Sequence, residues 1–403
     1  GHFLNWYATH NRSPLEPRYV STVDSGNLAA CLIALKQGCL QAATNPVLRL
    51  EWLHGFRETL DLVLEHVIDI EKQYQGKAVL DLKQELEHLR DEALNIEDQP
   101  EAWIPFLMYL SEQGWELLDR RLVTLVESDT IAWDPEVLRR LRIFGDQLRN
   151  FINNGIREIE MLMPWKIHMQ SIPELFLHPE QNAQIAQLWQ ELQDSIQGIS
   201  NGLANLSETD ILFAVPLEKL RKTLDQESGS DPQVVEARDW LFELSEKLET
   251  GAMAAKVLQI GFDEIARQAE SYFQAMDFTF LYDPDRKVFH IGYNLTLGEL
   301  DGNYYDLLAS ESRIASIVAI GKGDVPQSHW LHLSRPFTRV NGMRALLSWS
   351  ATMFEYLMPA LLMRSYHGTL LDQTMEAVVK CQIDYARDRD VPWGISESGY
   401  YRF

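Results

Sequence analysis

Apolar residues recur every three or four positions through the first two-thirds of the chain. In residues 21–43, "STVDSGNLAACLIALKQGCLQAA", Leu28, Leu32, Leu35 and Cys39 fall on one face of a helix. Residues 57–73, 102–126, 135–162 and 182–206 each carry one such stripe opposite a charged face. That is the pattern of helices that bury one side and solvate the other. Pro100, Pro164, Pro173 and the segment 225–233, "DQESGSDPQ", punctuate them. No fixed period marks a solenoid. The spacing predicts helix after helix from about 46 to 255 with nothing catalytic among them, a scaffold or inserted domain.

The pattern changes near 276. Residues 276–294, "MDFTFLYDPDRKVFHIGYN", hold two β-rich runs around Asp283-Pro284-Asp285, which predicts a hairpin. Helices are expected to resume after it. From about Tyr304 a helical spacing puts Tyr304, Leu308, Glu311, Ala315 and Val318 on one face, so Glu311 interrupts an apolar stripe and points inward. A buried carboxylate pairs, takes a proton or lines a polar cavity, and a raised pKa suits a general acid. The plainer alternative is an ion pair with a buried arginine, although the spacing sets Arg313 on another face. Residues 345–363 form a 19-residue run whose one charge is Glu355. The run is long enough to suggest a membrane span. Glu355, several hydroxyls and Pro359 favour a buried core helix instead. Glu355 then reads equally well as a hydrogen-bonded structural carboxylate or as a substrate contact.

Near the end, "WGISESGY" (393–400) sets Glu397 between Ser396 and Ser398, with Gly394 and Gly399 close by and Trp393 and Tyr400 as stacking faces. Two carboxylates, one as acid/base and one as nucleophile or water activator, are what glycoside cleavage requires, and sugars are held on aromatic faces. Tyr304, Tyr305, Trp330, Trp349, Tyr356, Trp393 and Tyr400 supply such faces, though each alone is more often a core residue.

Charge narrows the ligand class. The 403 residues carry a formal net charge of −23 and a pI of about 4.9. A chain this acidic is repelled by phosphate backbones and anionic lipid, so no nucleic-acid partner is expected, whereas a neutral glucan is compatible. Three cysteines, Cys31, Cys39 and Cys381, show no zinc-ligand spacing. The N-terminus has no signal-peptide pattern. There is no P-loop, G-x-G-x-x-G, H-E-x-x-H or G-x-S-x-G. His329 and His332 lie three apart without a third ligand, so neither metal nor cofactor is expected.

Four stretches carry a resemblance. Residues 5–38, 291–336 ("IGYNLTLGELDGNYYDLLASESRIASIVAIGKGDVPQSHWLHLSRP"), 346–359 ("LLSWSATMFEYLMP") and 391–401 ("VPWGISESGYY") resemble the middle, glucoamylase-like region of bacterial cyclic β-1,2-glucan synthases. The likeness covers roughly 1–40 and 275–403; the helices between match in character only. It implies a mainly α, (α/α)6-barrel-type toroid of which this chain carries the N-terminal part, with an extra helical domain and a short β-hairpin. The implied division is 1–45, an N-terminal segment and first helix; 46–255, a helical insertion; and 256–403, the start of the catalytic domain. The implied activity is cyclisation of linear β-1,2-glucan by retaining transglycosylation, with Glu311 as acid/base and Glu397 as nucleophile. Asp301, Tyr305, Asp306, Trp349, Glu355, Trp393 and Tyr400 would contact substrate. Asp24 and Asn27, in "VDSGN", match the family without an assigned role, and helix capping is the plain reading. The partners implied are linear and cyclic β-1,2-glucan and the glycosyltransferase and phosphorylase-like parts of the same synthase, at the cytoplasmic face of the bacterial inner membrane. The alternatives are a non-catalytic helical module of that synthase and a plain β-glucan hydrolase.

Overall fold

The computed structural model describes residues 1–127, 134–178, 183–197, 202–227, 231–340 and 342–396, so Glu397 and Tyr400 lie outside the described residues. The chain is mainly helical and divides into two compact units. One is built from residues 41–262, the other from residues 1–40 together with 263–403. In chain order, β1 (Tyr19–Ser21) runs into α1 (Thr22–Thr44). Next come α2 (Leu50–Gln73), α3 (Lys77–Asn95), α4 (Pro100–Tyr109), α5 (Trp115–Val126), α6 (Pro135–Leu162), α7 (Pro164–His168), α8 (Glu174–Leu177), α9 (Ala183–Gln197), α10 (Leu203–Leu206), α11 (Thr209–Gln226) and α12 (Pro232–Ala275). The last stretch holds β2 (Tyr282–Asp283), β3 (Val288–Phe289), β4 (Gly292–Asn294), β5 (Glu299–Leu300), α13 (Arg313–Lys322), α14 (Ser328–His332), β6 (Phe337–Val340), β7 (Met343–Leu346), α15 (Met353–Leu357) and α16 (Leu370–Arg387). Among the described residues no helix is long and apolar enough to cross a membrane.

The unit of residues 41–262 is a helical bundle whose seams follow alternating steps of three and four. On α3 the buried positions are Val79, Leu82, Leu86, Leu89 and Ala93; on α6 they are Leu141, Gly145, Leu148, Ile152, Gly155, Ile159 and Leu162. This is the 3.5-residue repeat that lets helices interdigitate along their length. Glycine is used where rings cross: a methyl at Gly155 would lie 2.7 Å from Trp52 Nε1, and one at Gly55 would lie 3.1 Å from the Phe151 ring. Asp134 caps α6 through a bond from the Glu136 N–H at 2.8 Å, with Pro135 in the first turn. The core of this unit is almost wholly apolar. Of the fifteen buried polar or charged side chains among the described residues, Thr209 and Thr223 alone belong to it.

The unit of residues 1–40 and 263–403 holds the other thirteen. Its strands are short. The antiparallel order β1-β4-β5 aligns Ser21 with Gly292 and Tyr293 with Leu300. β2 and β3 form the hairpin expected around Pro284, where Asp283 Oδ1 accepts from the Asp285 and Arg286 N–H groups. β6 and β7 form a second hairpin. Ser21 caps α1 by accepting the Asp24 N–H at 3.1 Å, and Thr22 donates to the His290 carbonyl at 2.7 Å. α1 then crosses α13 through small side chains, with Ala29, Ala315 and Ala319 in one buried cluster. α13 ends on Gly323 at φ +88°, whose N–H bonds back to Ala319 and Ile320.

Two sequence expectations fail here. No helix begins at Tyr304. The Tyr305 N–H is taken by the Phe289 carbonyl and the Leu307 N–H by Ser334, Asp306 caps the Leu308 N–H, and Ser310 turns at φ +50°. The backbone donors are spent outside a helical ladder until α13 starts at Arg313. Nor is 345–363 one core helix. Its first residues complete β7, Ala351 turns at φ +58°, Thr352 caps the short α15, and a 3-10 turn follows at Met358–Leu361. A buried strand and a buried helix look alike in a short apolar run.

The α1–α13 crossing makes a paired prediction. A methyl at Gly26 would lie 2.4 Å from Ala315 Cβ and 2.5 Å from its Cα, whereas Gly38 on the same helix has open space. Gly26→Ala is expected to destabilise by about 1–3 kcal/mol through overpacking. Gly38→Ala is expected to stabilise by up to about 1 kcal/mol through helix propensity. Thermal unfolding of the two variants should show shifts of opposite sign.

Candidate functional site

The polar interior gathers where the turn 306–312, the loop 347–351 and α15 meet. Asp306 organises the turn: its carboxylate accepts the Leu308 N–H and its carbonyl accepts the Ser312 hydroxyl, each at 3.0 Å. The turn delivers Glu311 just ahead of α13, where the helix dipole favours a carboxylate. Glu311 is 5% exposed. Its Oε1 accepts from Asn27 Nδ2 at 2.7 Å, and its Oε2 accepts from the Ser310 hydroxyl.

Glu355 is 2% exposed and receives four hydrogen bonds. The Ser310 N–H reaches Oε1 at 3.1 Å; the Ser348 hydroxyl, the Ser350 N–H and the Ser350 hydroxyl reach Oε2 at 2.8, 2.9 and 2.8 Å. Burial pushes its pKa up, but the donors from Ser350, Ser348 and Ser310 outweigh that and hold it below the usual carboxylate range. Arg313 lies beneath, donating to the carbonyls of Glu355 at 3.0 Å and Tyr356 at 2.7 Å. Burial lowers the guanidinium pKa to about 10 against the pull of Glu311 and Glu355. Because α13 starts only at Arg313, Glu311 and Arg313 do not share a helix whose faces would separate them.

The two glutamates differ in their partners. Two of the four donors to Glu355 are backbone N–H groups, which can only donate. Glu311 meets a hydroxyl and an amide, each of which can donate or accept. The surroundings of Glu355 thereby favour its anion, while both partners of Glu311 can reverse their hydrogen bonds.

An aromatic stack stands beside them. Tyr305, 9% exposed, packs in a small cluster with Val23 and Ala309, and Trp349, 55% exposed, stacks on it with ring centroids 5.6 Å apart at 29°. Burial, then the neighbouring Tyr19, Glu311, Asp24 and Asp301, hold the Tyr305 phenol well above its ordinary pKa. Asp301 accepts from the Tyr19 hydroxyl at 3.2 Å and from Asn303. Thus Asp301, Tyr305, Asp306, Glu311, Trp349 and Glu355 fall within one connected region. Trp393 is 51% exposed on the segment whose Ile395 carbonyl accepts the Met353 N–H at 2.9 Å and whose Ile395 N–H donates to Gln382 at 2.6 Å. Gln382 in turn donates to the Ala351 carbonyl at 2.9 Å. Glu397 and Tyr400 lie outside the described residues.

Sequence reasoning missed three things: the contact of Asn27 with Glu311, the serine donors to Glu355 and the position of Arg313. The serines of "ASES" and "SWSAT" were a usable signal, since closely spaced hydroxyls around acids are ready donors. His329, weighed for a metal, is fully buried and bridges the Lys287 carbonyl and the Ser316 hydroxyl, both at 2.9 Å, while His332 bonds the Ser328 carbonyl. Among the described residues no group of three or more His, Cys, Asp or Glu side chains could hold a metal ion.

Two pH effects on stability follow. Burial lowers the pKa of His329 below its unfolded 6.5. Its contribution is therefore complete above that value and is lost as the pH falls and the unfolded state takes up the proton first. His329→Gln should flatten the loss of stability between about pH 7 and 5. Glu355 is also depressed, so its contribution is present above its unfolded value of 4.5 and fades below it. Glu355→Gln sets an amide donor among hydroxyl and N–H donors and takes a charge from beside Arg313. Chemical denaturation at pH 7 should show a loss on the order of 3 kcal/mol.

No family model matches the chain. Over 408 aligned residues, 99% of the chain, it is 32% identical to the cyclic beta-(1,2)-glucan synthase NdvB of Rhizobium meliloti (strain 1021). It spans 11% of that protein's length. The resemblance read from the motifs is borne out: the chain is homologous to a segment of a cyclic β-(1,2)-glucan synthase.

Proposed function

We propose that this chain is a glycoside-processing module of a cyclic β-1,2-glucan synthase, with Glu311 as its acid/base. The single observation that carries the reading is a buried glutamate held by reversible partners beside an exposed indole stacked on a buried phenol, in a chain homologous to such a synthase. Trp349 offers one face of its ring to a sugar. Glu311 gives its proton to the glycosidic oxygen as the bond to the anomeric carbon breaks. Glu397 attacks that carbon from the other side, forming a glycosyl-enzyme. A hydroxyl from the non-reducing end of the same glucan then displaces Glu397 and returns its proton to Glu311, closing the ring with retention. The architecture proposed for the complete catalytic domain is an (α/α)6 toroid, and the other catalytic parts of the longer synthase are its partners. Glu355 serves here as the anchor that holds the turn at 310 against the loop at 350.

A second reading, a non-catalytic helical framework, is favoured for residues 41–262 by their apolar interior, in which Thr209 and Thr223 are the buried polar side chains described.

The test is product analysis on linear β-1,2-glucan with the full-length protein. Rings support the proposal, reducing sugar alone supports a plain hydrolase, and no product supports a framework. Glu311→Gln is expected to lower turnover by about 10²–10⁴-fold. Retained turnover removes Glu311 from the chemistry. Trp349→Ala is expected to raise KM for the glucan about tenfold or more, the size of a lost sugar–aromatic contact.

A further inference from the structure

An acid/base residue must keep its aim while its proton comes and goes. Glu311 sits on a turn, beside a residue in left-handed backbone, and its direct side-chain partners are Asn27 and Ser310. Asn27 comes from a well-fixed place. The start of α1 is tied by the Thr22–His290 bond to the segment between β3 and β4, and the residue just before Asn27, Gly26, sits hard against Ala315. Asn27 Nδ2 donates to Glu311 Oε1 at 2.7 Å. Its Oδ1 is sealed from solvent and has no hydrogen-bond partner among the described residues.

A buried amide oxygen without a donor costs free energy, and such atoms are uncommon in folded proteins. Here the orphan has a use. An amide carries a donor and an acceptor on one planar end. Half a turn about the Cβ–Cγ bond exchanges Nδ2 for Oδ1, which can then accept the O–H of a protonated Glu311. No other bond among the described residues is given up in the exchange, and one amide atom is unpartnered in either state. The Ser310 hydroxyl can reverse in the same way. We propose that Asn27 is a positioning residue for Glu311, its amide holding the carboxyl in one orientation both with and without the proton. This rests on the reading of Glu311 as the acid/base. The other charged or titratable groups of this region are Arg313 on α13, Glu355 on α15, Tyr305 ahead of the turn with its neighbours Tyr19 and Asp301, and Asp24 one turn before Asn27 on α1, and each keeps its side chain in the Asn27 variants.

The test compares Asn27→Leu, Asn27→Asp and Glu311→Gln in the full-length protein acting on linear β-1,2-glucan, with thermal unfolding as a check on folding. Asn27→Leu keeps the size and loses both polar atoms. It is expected to lower kcat about 10²-fold, the scale of a misplaced catalytic group, with KM within about twofold. It should also move the alkaline limb of the pH–rate profile upward, because the charge-assisted bond lost by the anion is stronger than the neutral bond lost by the acid. Asn27→Asp, the same shape with a negative charge, should move that limb further. Folded Asn27 variants with an unmoved limb overturn the positioning role, whether kcat falls or not, provided Glu311→Gln is inactive. An active Glu311→Gln overturns the reading of Glu311 as well.

Discussion

A carboxylate sealed from water must be met by donors, and the way Glu355 meets this demand shapes its surroundings. Its four hydrogen bonds come from Ser310 on one segment and from Ser348 and Ser350 on another. Satisfying the charge therefore draws together two stretches that are far apart in sequence. Both pass through left-handed backbone, at Ser310 and Ala351. A non-glycine residue adopts that conformation at a cost, and the charge-assisted bonds around Glu355 offset it. Arg313 adds the compensating cation beneath, committed to the backbone carbonyls of Glu355 and Tyr356. Unpairing any one of these groups leaves another buried and unsatisfied, so the cluster behaves as a unit. The backbone position of Glu311 follows, since it comes next after Ser310 in the same turn.

The two units solve the problem of stability differently. Residues 41–262 rely on apolar seams with glycine where rings cross, an arrangement in which each contact is non-directional and exchangeable. In residues 1–40 and 263–403, small side chains on α1 and α13 bring two backbones close, and buried polar groups fix the loops. Directional bonds specify geometry more sharply than apolar contacts do, and a geometry-dependent task needs that kind of interior. The concentration of buried polar side chains in one unit is thus a statement about where chemistry can be supported.

Much of this was legible in the sequence, and what was not has a physical cause. The helical periodicity of 57–73 and 135–162 is written as apolar stripes because each helix buries one face, and α2 and α6 cover those stretches. The Asp-Pro-Asp hairpin is equally local: its turn is closed by Asp283 bonding two and three residues ahead. Glu311 was picked out for the right property, burial, through a helix that does not exist. Its partner on α1 is Asn27, and a contact between residues 27 and 311 leaves no mark in local spacing. The run 345–363 misled for a similar reason. What divides it is the pairing of β7 with β6 and the demand of Glu355 for donors, both of them tertiary. Apolar character was readable; the choice between strand and helix was made elsewhere in the chain.

The charge balance of the cluster bears on its chemistry. Glu311 and Glu355 both act on Arg313, so two carboxyl groups share one buried guanidinium. Glu355, held as an anion by donor-only N–H groups, already matches that cation. In the mechanism proposed above, proton exchange at Glu311 changes the local formal charge between zero and minus one without disturbing the Arg313–Glu355 match. A fixed pair beside Glu311 gives that proposed step an interior whose structure is insensitive to it. In the same proposed mechanism, positive charge developing on a sugar ring is favoured next to the anionic state, and return of the proton restores neutrality. What separates the two glutamates is the choice of partners: backbone N–H groups that can only donate hold Glu355, and an amide and a hydroxyl that can donate or accept hold Glu311.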